Sequence, residues 1–106
     1  MAIIQATDTD FQDVLQNNER VVVKYYADWC GNCRLFSPKF KRMAANEEFA
    51  NVAFVDVNAE TSPEARKLAG VTNLPFFAVF KNGELVEGAA TSKEDFVLGL
   101  VKKVQE

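Results

Sequence analysis

The sequence contains no histidine. That absence removes the commonest general base, the commonest metal ligand and the side chain that titrates nearest neutrality. Hydrolytic mechanisms built on Ser-His or Cys-His pairs are excluded with it. Cysteine is scarce too, with 2 in 106 residues. A small secreted scaffold held by disulfides would carry more of them, spread along the chain. Two thiolates and no imidazole leave a zinc site or an iron–sulfur cluster short of protein ligands. Haem attachment needs a histidine after the second cysteine, and Arg34 stands there. Positive charge is not in excess either: 12 basic against 15 acidic residues give a net charge of −3, a poor match for nucleic acid. No apolar run approaches the length of a membrane span. Met1-Ala2-Ile3-Ile4-Gln5 offers neither the basic nor the apolar region of a secretion signal. A cytoplasmic protein is therefore expected, and in that compartment a vicinal dithiol is catalytic more often than structural.

What is present points to one folded unit. Hydrophobic residues make up 48% and charged residues 25%, ordinary globular usage over a length that suits a single domain, 1–106. Ile3 to Ala6 reads as an edge strand. Thr9 with Gln12 reads as a capping box, followed by Phe11, Val14 and Leu15 on one helical face, with Asn17-Asn18 ending the helix. Val21 to Tyr26 is β-branched and aromatic with little alternation, as suits a strand covered on both faces, and Lys24 is the odd residue in it. Phe36, Phe40, Met43 and Ala44 recur at helical spacing, with Pro38 expected to kink their helix. Val52 to Val57 is a second apolar strand. Ser62-Pro63 starts a helix that Gly70 closes. Phe76 to Phe80 is a third strand, Asn82-Gly83 forms a type I′ hairpin turn, and Leu85-Val86 begins the return strand. Ser92 with Asp95 starts a last helix whose buried side is predicted as Phe96, Leu100, Val101 and Val104. The order βαβαβαββα predicts an α/β three-layer sandwich, a central mixed sheet with helices on both faces.

The two cysteines sit as Trp29-Cys30-Gly31-Asn32-Cys33, between the second strand and a helix. Such a dithiol can close on itself. A cysteine just before a helix meets free backbone N–H groups and the positive end of the helix dipole, which stabilise thiolate. Cys30 is thus the expected nucleophile, the more exposed and more acidic thiol. Cys33, one turn in and shielded, is placed to attack a mixed disulfide on Cys30. Gly31 allows close approach of a partner.

With Ala27-Asp28-Trp29-Cys30-Gly31-Asn32-Cys33, Pro38, Val71-Thr72-Asn73-Leu74-Pro75 and Phe80-Lys81-Asn82-Gly83, the chain resembles the thioredoxin family over nearly its whole length. The resemblance implies the thioredoxin fold and a thiol–disulfide oxidoreductase that reduces protein disulfides. It implies no cofactor beyond the dithiol, a thioredoxin reductase as electron donor and, with one modest apolar groove on an acidic chain, a monomer. It implies that Pro75 is cis and faces the dithiol, that Leu74 offers backbone groups to an extended substrate, that Trp29 shields the cysteines and lines the contact surface, and that Gly88-Ala89 supply a third groove-lining loop. Phe76 replaces a frequent threonine and reads as core.

Two residues depart from the family pattern. Asn32 stands where proline is usual. It frees a backbone N–H and loosens the helix start, so the reduction potential need not be the usual one. Lys24 stands where the family buries an aspartate beneath the cysteines. It either snorkels out at the sheet's periphery or points to the dithiol and tunes it. These departures keep two other readings open: a disulfide isomerase-like protein with an unusual potential, and a binding module whose docking the dithiol switches.

Overall fold

The computed structural model describes residues 2–106, so Met1, the first residue of the expected one-domain span, lies outside the described residues. Five strands form one mixed sheet in the order β1-β3-β2-β4-β5. They are β1 (Ile4–Ala6), β2 (Arg20–Tyr26), β3 (Ala53–Asn58), β4 (Phe76–Lys81) and β5 (Glu84–Ala90). The first three run parallel, while β4 is antiparallel to β2 and β5 to β4. The helices are α1 (Phe11–Asn17), α2 (Gly31–Ala45), α3 (Pro63–Ala69) and α4 (Glu94–Gln105), with a short 3-10 turn at Glu47–Phe49. This is the expected sandwich in the expected order.

The strand residues sort themselves by parity, because successive side chains point to opposite faces. Val21, Val23 and Tyr25 of β2 pack with Phe11, Leu15, Ala65 and Ala69 of α1 and α3. Val22 packs on the other face with Phe36, Phe40 and Met43 of α2 and Val97, Leu100, Val101 and Val104 of α4. Both layers are apolar on both faces of β2, which explains a central strand that shows no alternation in its sequence. The same parity sends Lys24 to the α2 side, beneath the helix that begins at the cysteines.

Turn chemistry behaves as its residues dictate. Asn82 and Gly83 both take positive φ, 54° and 83°, at the β4–β5 hairpin, and Gly70 closes α3 at φ 65°. The two capping boxes do not form. Residue Asp10, not Thr9, precedes α1, and its carboxylate turns back to accept from the Thr7 amide at 2.8 Å. Lys93, not Ser92, precedes α4 without a side-chain cap. Phe96, expected on the buried side of α4, is 46% exposed, and Val97 takes its place in the stripe 97, 100, 101 and 104. That stripe is the better i, i+3, i+4, i+7 match. Helix α2 continues through Pro38, which is exposed.

Candidate active site

Strand β2 delivers the chain to Ala27, and a turn through Asp28 and Trp29 reverses it into α2. Cys30 caps that helix. Its amide donates to the Ala27 carbonyl at 3.1 Å, and its Sγ accepts the Cys33 amide at 3.1 Å. A sulfur therefore occupies the place a capping oxygen would fill, one donor of the helix start is spent on it, and a thiolate there gains from both the bond and the dipole. Cys30 and Cys33 form a disulfide with Cα atoms 5.3 Å apart. In this oxidised form Cys30, expected to be the exposed thiol, is buried, at 5% exposure against 2% for Cys33. Both sulfurs are covered in the disulfide form, because Ala27, Tyr26 and Leu74 pack around the pair.

The loop before β4 supplies the opposite wall. The Leu74–Pro75 peptide bond is cis, Leu74 packs against the Ala27–Cys30–Cys33 cluster and Pro75 is buried. Trp29 is 65% exposed beside Cys30, so it presents its ring to solvent and leaves the cysteines to be covered from within. Gly31 and Asn32 are exposed on the first turn of α2. Gly88 and Ala89 are not in a loop. They belong to β5, opposite Ala78 and Phe77, because the return strand runs on to Ala90. A Cβ on Gly88 would stand 2.8 Å from Phe76 Cε1, so the glycine makes room for that ring. The loop beside Pro75 begins at Thr91, whose amide donates to the Pro75 carbonyl at 3.2 Å. Thr91 follows a strand whose end carried no turn signal, and for that reason escaped the sequence reading.

Lys24 does not snorkel. It is 2% exposed, and its Nζ donates to Ser37 Oγ at 2.8 Å while standing 3.4 Å from Asp56 Oδ1. Ser37 Oγ in turn donates to the Cys33 carbonyl at 3.2 Å. The lysine is thus tied to the helix turn that holds Cys33. Burial pulls its pKa below the ordinary value, and the Asp56 carboxylate opposes that pull. Lys24 and Cys33 share the wall of a cleft of about 330 Å³ with Tyr26, Ala27, Asp28, Arg34, Ser37 and Asp56. Asp56 is a site residue that sequence reading missed. Among the described residues no group of three or more cysteine, aspartate and glutamate side chains is placed to hold a metal, and no helix is long and apolar enough to cross a membrane.

A helix-capped disulfide facing a cis-proline loop on this sheet defines a protein built for dithiol–disulfide exchange. The comparisons agree. The thioredoxin family model matches residues 2–103. The chain is similar to thioredoxin of Pyropia yezoensis, 35% identical over 104 residues, which cover 97% of this chain and 89% of that protein. It is similar to thioredoxin 1 of Nostoc, 33% identical over 103 residues, 96% of this chain and 88% of that one. Among solved structures, oxidised mitochondrial thioredoxin 3 of Saccharomyces cerevisiae superposes with a TM-score of 0.86 at 26% identity, covering 95% and 94% of the two chains. Spinach chloroplast thioredoxin f, at 21% identity, shares the fold with a TM-score of 0.89 over 98% of this chain and 87% of that one. The chain belongs to the thioredoxin family and is a thiol–disulfide oxidoreductase.

Proposed function

We propose that this oxidoreductase reduces protein disulfides, with Cys30 attacking and Cys33 resolving. The single observation that supports this assignment most is the Cys33 amide donating to Cys30 Sγ at the start of α2, which favours charge on Cys30 and not on Cys33. In the reduced protein the Cys30 thiolate attacks one sulfur of a substrate disulfide and forms a mixed disulfide. Cys33 then attacks Cys30 Sγ, the internal disulfide closes, and both substrate sulfurs leave as thiols. Trp29, Leu74 and Pro75 form the surface that meets an extended substrate segment, with Gly31 leaving room beside the sulfur. Thr91 sits at the edge of that surface, where Gly88 and Ala89 were expected. Lys24 tunes the pair from beneath, and Asn32 does so from the helix start.

The chemistry needs no cofactor beyond the dithiol. A thioredoxin reductase is the proposed electron donor, the working form is a monomer, and a reducing compartment such as the cytoplasm suits the cycle. The test is trapping. Cys33→Ser accumulates mixed disulfides with partner proteins, and Cys30→Ser accumulates none. Equal trapping by both variants contradicts the assignment.

A further inference from the structure

The mechanism leaves Asp56, an ionisable group in the wall of the cleft, without a task. Asp56 lies directly opposite Lys24 in the parallel register of β2 and β3, and parity turns both side chains to the α2 face. The two groups are not equivalent. Lys24 Nζ is surrounded by partners for a cation: the Ser37 hydroxyl, the Asp56 carboxylate, and the rings of Phe40 and Tyr26 at 5.3 and 5.8 Å. An ammonium has no lone pair and cannot accept a proton. Asp56 has acceptor capacity to spare. Oδ2 accepts Gln5 Nε2 at 3.2 Å, whereas Oδ1 is buried, faces Lys24 Nζ at 3.4 Å and accepts no hydrogen bond among the described residues. Asp56 lines the same cleft of about 330 Å³ as Cys33, a space that accommodates water. It also bounds a second cleft, of about 400 Å³, with Ala2, Ile3, Gln5 and Lys41. One carboxylate thus stands between the resolving cysteine and a separate opening to the surface.

We propose that Asp56 is the proton acceptor for Cys33 when the mixed disulfide is resolved, with Lys24 as the positioning residue whose ion pair holds the carboxylate in place in the cleft. This rests on the reading of Cys33 as the resolving thiol. The Cys33 thiol gives its proton, through water in the cleft, to the Asp56 carboxylate. The resulting thiolate attacks Cys30 Sγ. The Cys30–Cys33 bond forms as the bond from Cys30 to the substrate sulfur breaks, and its electron pair leaves on that sulfur, which takes a proton from solvent. Asp56 releases its own proton through the second cleft. Two cysteine thiols are oxidised to one disulfide, and the substrate disulfide is reduced to two thiols. The charged and titratable groups facing Asp56 are Lys24 from β2, Tyr26 at its end, Lys41 from α2, and Asp28 and Arg34 across the cleft. Asp28 is the only other carboxylate among them.

The test mixes reduced protein with excess dithiobis(nitrobenzoate) by stopped flow. The first release of nitrothiolate is second order and reports Cys30, and the second is first order and reports Cys33 closing on the mixed disulfide. Asp56→Asn is expected to keep the first phase and to slow the second about tenfold or more at neutral pH. The deficit shrinks as pH rises and hydroxide ionises Cys33 unaided, while Asp28→Asn keeps the second phase at its original rate. The proposal is overturned by an unchanged second phase in Asp56→Asn, by a slowing of equal factor at every pH, or by the same loss in Asp28→Asn. If Asp56→Asn alone does not fold, Lys24→Met combined with it removes the unpaired ammonium, and the same two phases are read on the double variant. Absence of the first phase from the unmodified protein would refute the oxidoreductase reading itself.

Discussion

Lys24 and Asp56 face each other on neighbouring parallel strands, with Nζ 3.4 Å from Oδ1, inside a sheet otherwise filled with valine and phenylalanine. Two charges taken from water are held by each other and by Ser37 and Gln5. Removing one partner leaves the other charge uncompensated, which costs more than replacing both. Lys24→Met is therefore expected to lower stability by about 3 kcal/mol, and Lys24→Met with Asp56→Leu to recover most of that loss. Denaturant unfolding of the two variants checks it, and a double variant less stable than the single one contradicts it.

Asp8 caps a helix from a distance. Its carboxylate accepts the Glu64 amide at 3.0 Å and the Ala65 amide at 2.8 Å, so the first turn of α3 is satisfied from the loop after β1 and not by Ser62 before it. Asp8→Ala is expected to cost about 1 kcal/mol, and Ser62→Ala less. Thermal unfolding of both variants gives the comparison, and a larger loss in Ser62→Ala would reverse the assignment.

Gly88 is a steric requirement. A new Cβ would lie 2.8 and 3.0 Å from two atoms of the Phe76 ring, which is buried and packed edge-on to Tyr25 with centroids 6.2 Å apart. Alanine at a strand glycine ordinarily gains a little from reduced freedom of the unfolded chain. Here overpacking outweighs that gain, and Gly88→Ala is expected to cost about 1–3 kcal/mol. Gly88→Ala combined with Phe76→Thr relieves the clash and should not add the Gly88 penalty to the cost of the lost ring. Strictly additive losses in the cycle would show that the ring does not need the glycine.

Tyr25 donates its phenol to the Ala65 carbonyl at 2.9 Å, and burial pushes its pKa well above the ordinary 10.0. Burial raises Tyr26 as well, aided by Asp56 and Asp28. Both groups hold their protons in the folded chain after the unfolded chain has released them. Their contribution is complete below pH 10 and declines as pH climbs past it. Tyrosinate absorbance is expected to stay flat past the ordinary value and then to rise together with the loss of structure. A rise for both tyrosines at the ordinary value in folded protein would contradict the burial argument.

The element order was legible because each buried strand is a mostly apolar run and each helix carries its own stripe. Helix starts were less legible. Thr9 and Ser92 satisfy a local capping pattern, but Asp10 turns back to Thr7 and Asp8 reaches across to α3, and such contacts between segments leave no local trace. The loop reading of Gly88-Ala89 failed because the end of an edge strand carries no punctuation of its own. Cys30, Cys33 and Pro75 were legible as a motif in known order. Asp56 was not, although one signal exists: Lys24 is the lone charge in the run Val21–Tyr26 and Asp56 the lone charge in Val52–Val57. Opposite charges, each alone in a buried strand, argue that the strands are neighbours in register.

Turnover of disulfide bonds tests the central claim most directly. With dithiothreitol as electron donor and insulin as substrate, the protein at a small fraction of the insulin concentration is expected to reduce many disulfides per molecule, and Cys30→Ser none above background. Reduction of no more than one disulfide per protein molecule would contradict the account, leaving a switch that titrates once in place of an enzyme that cycles.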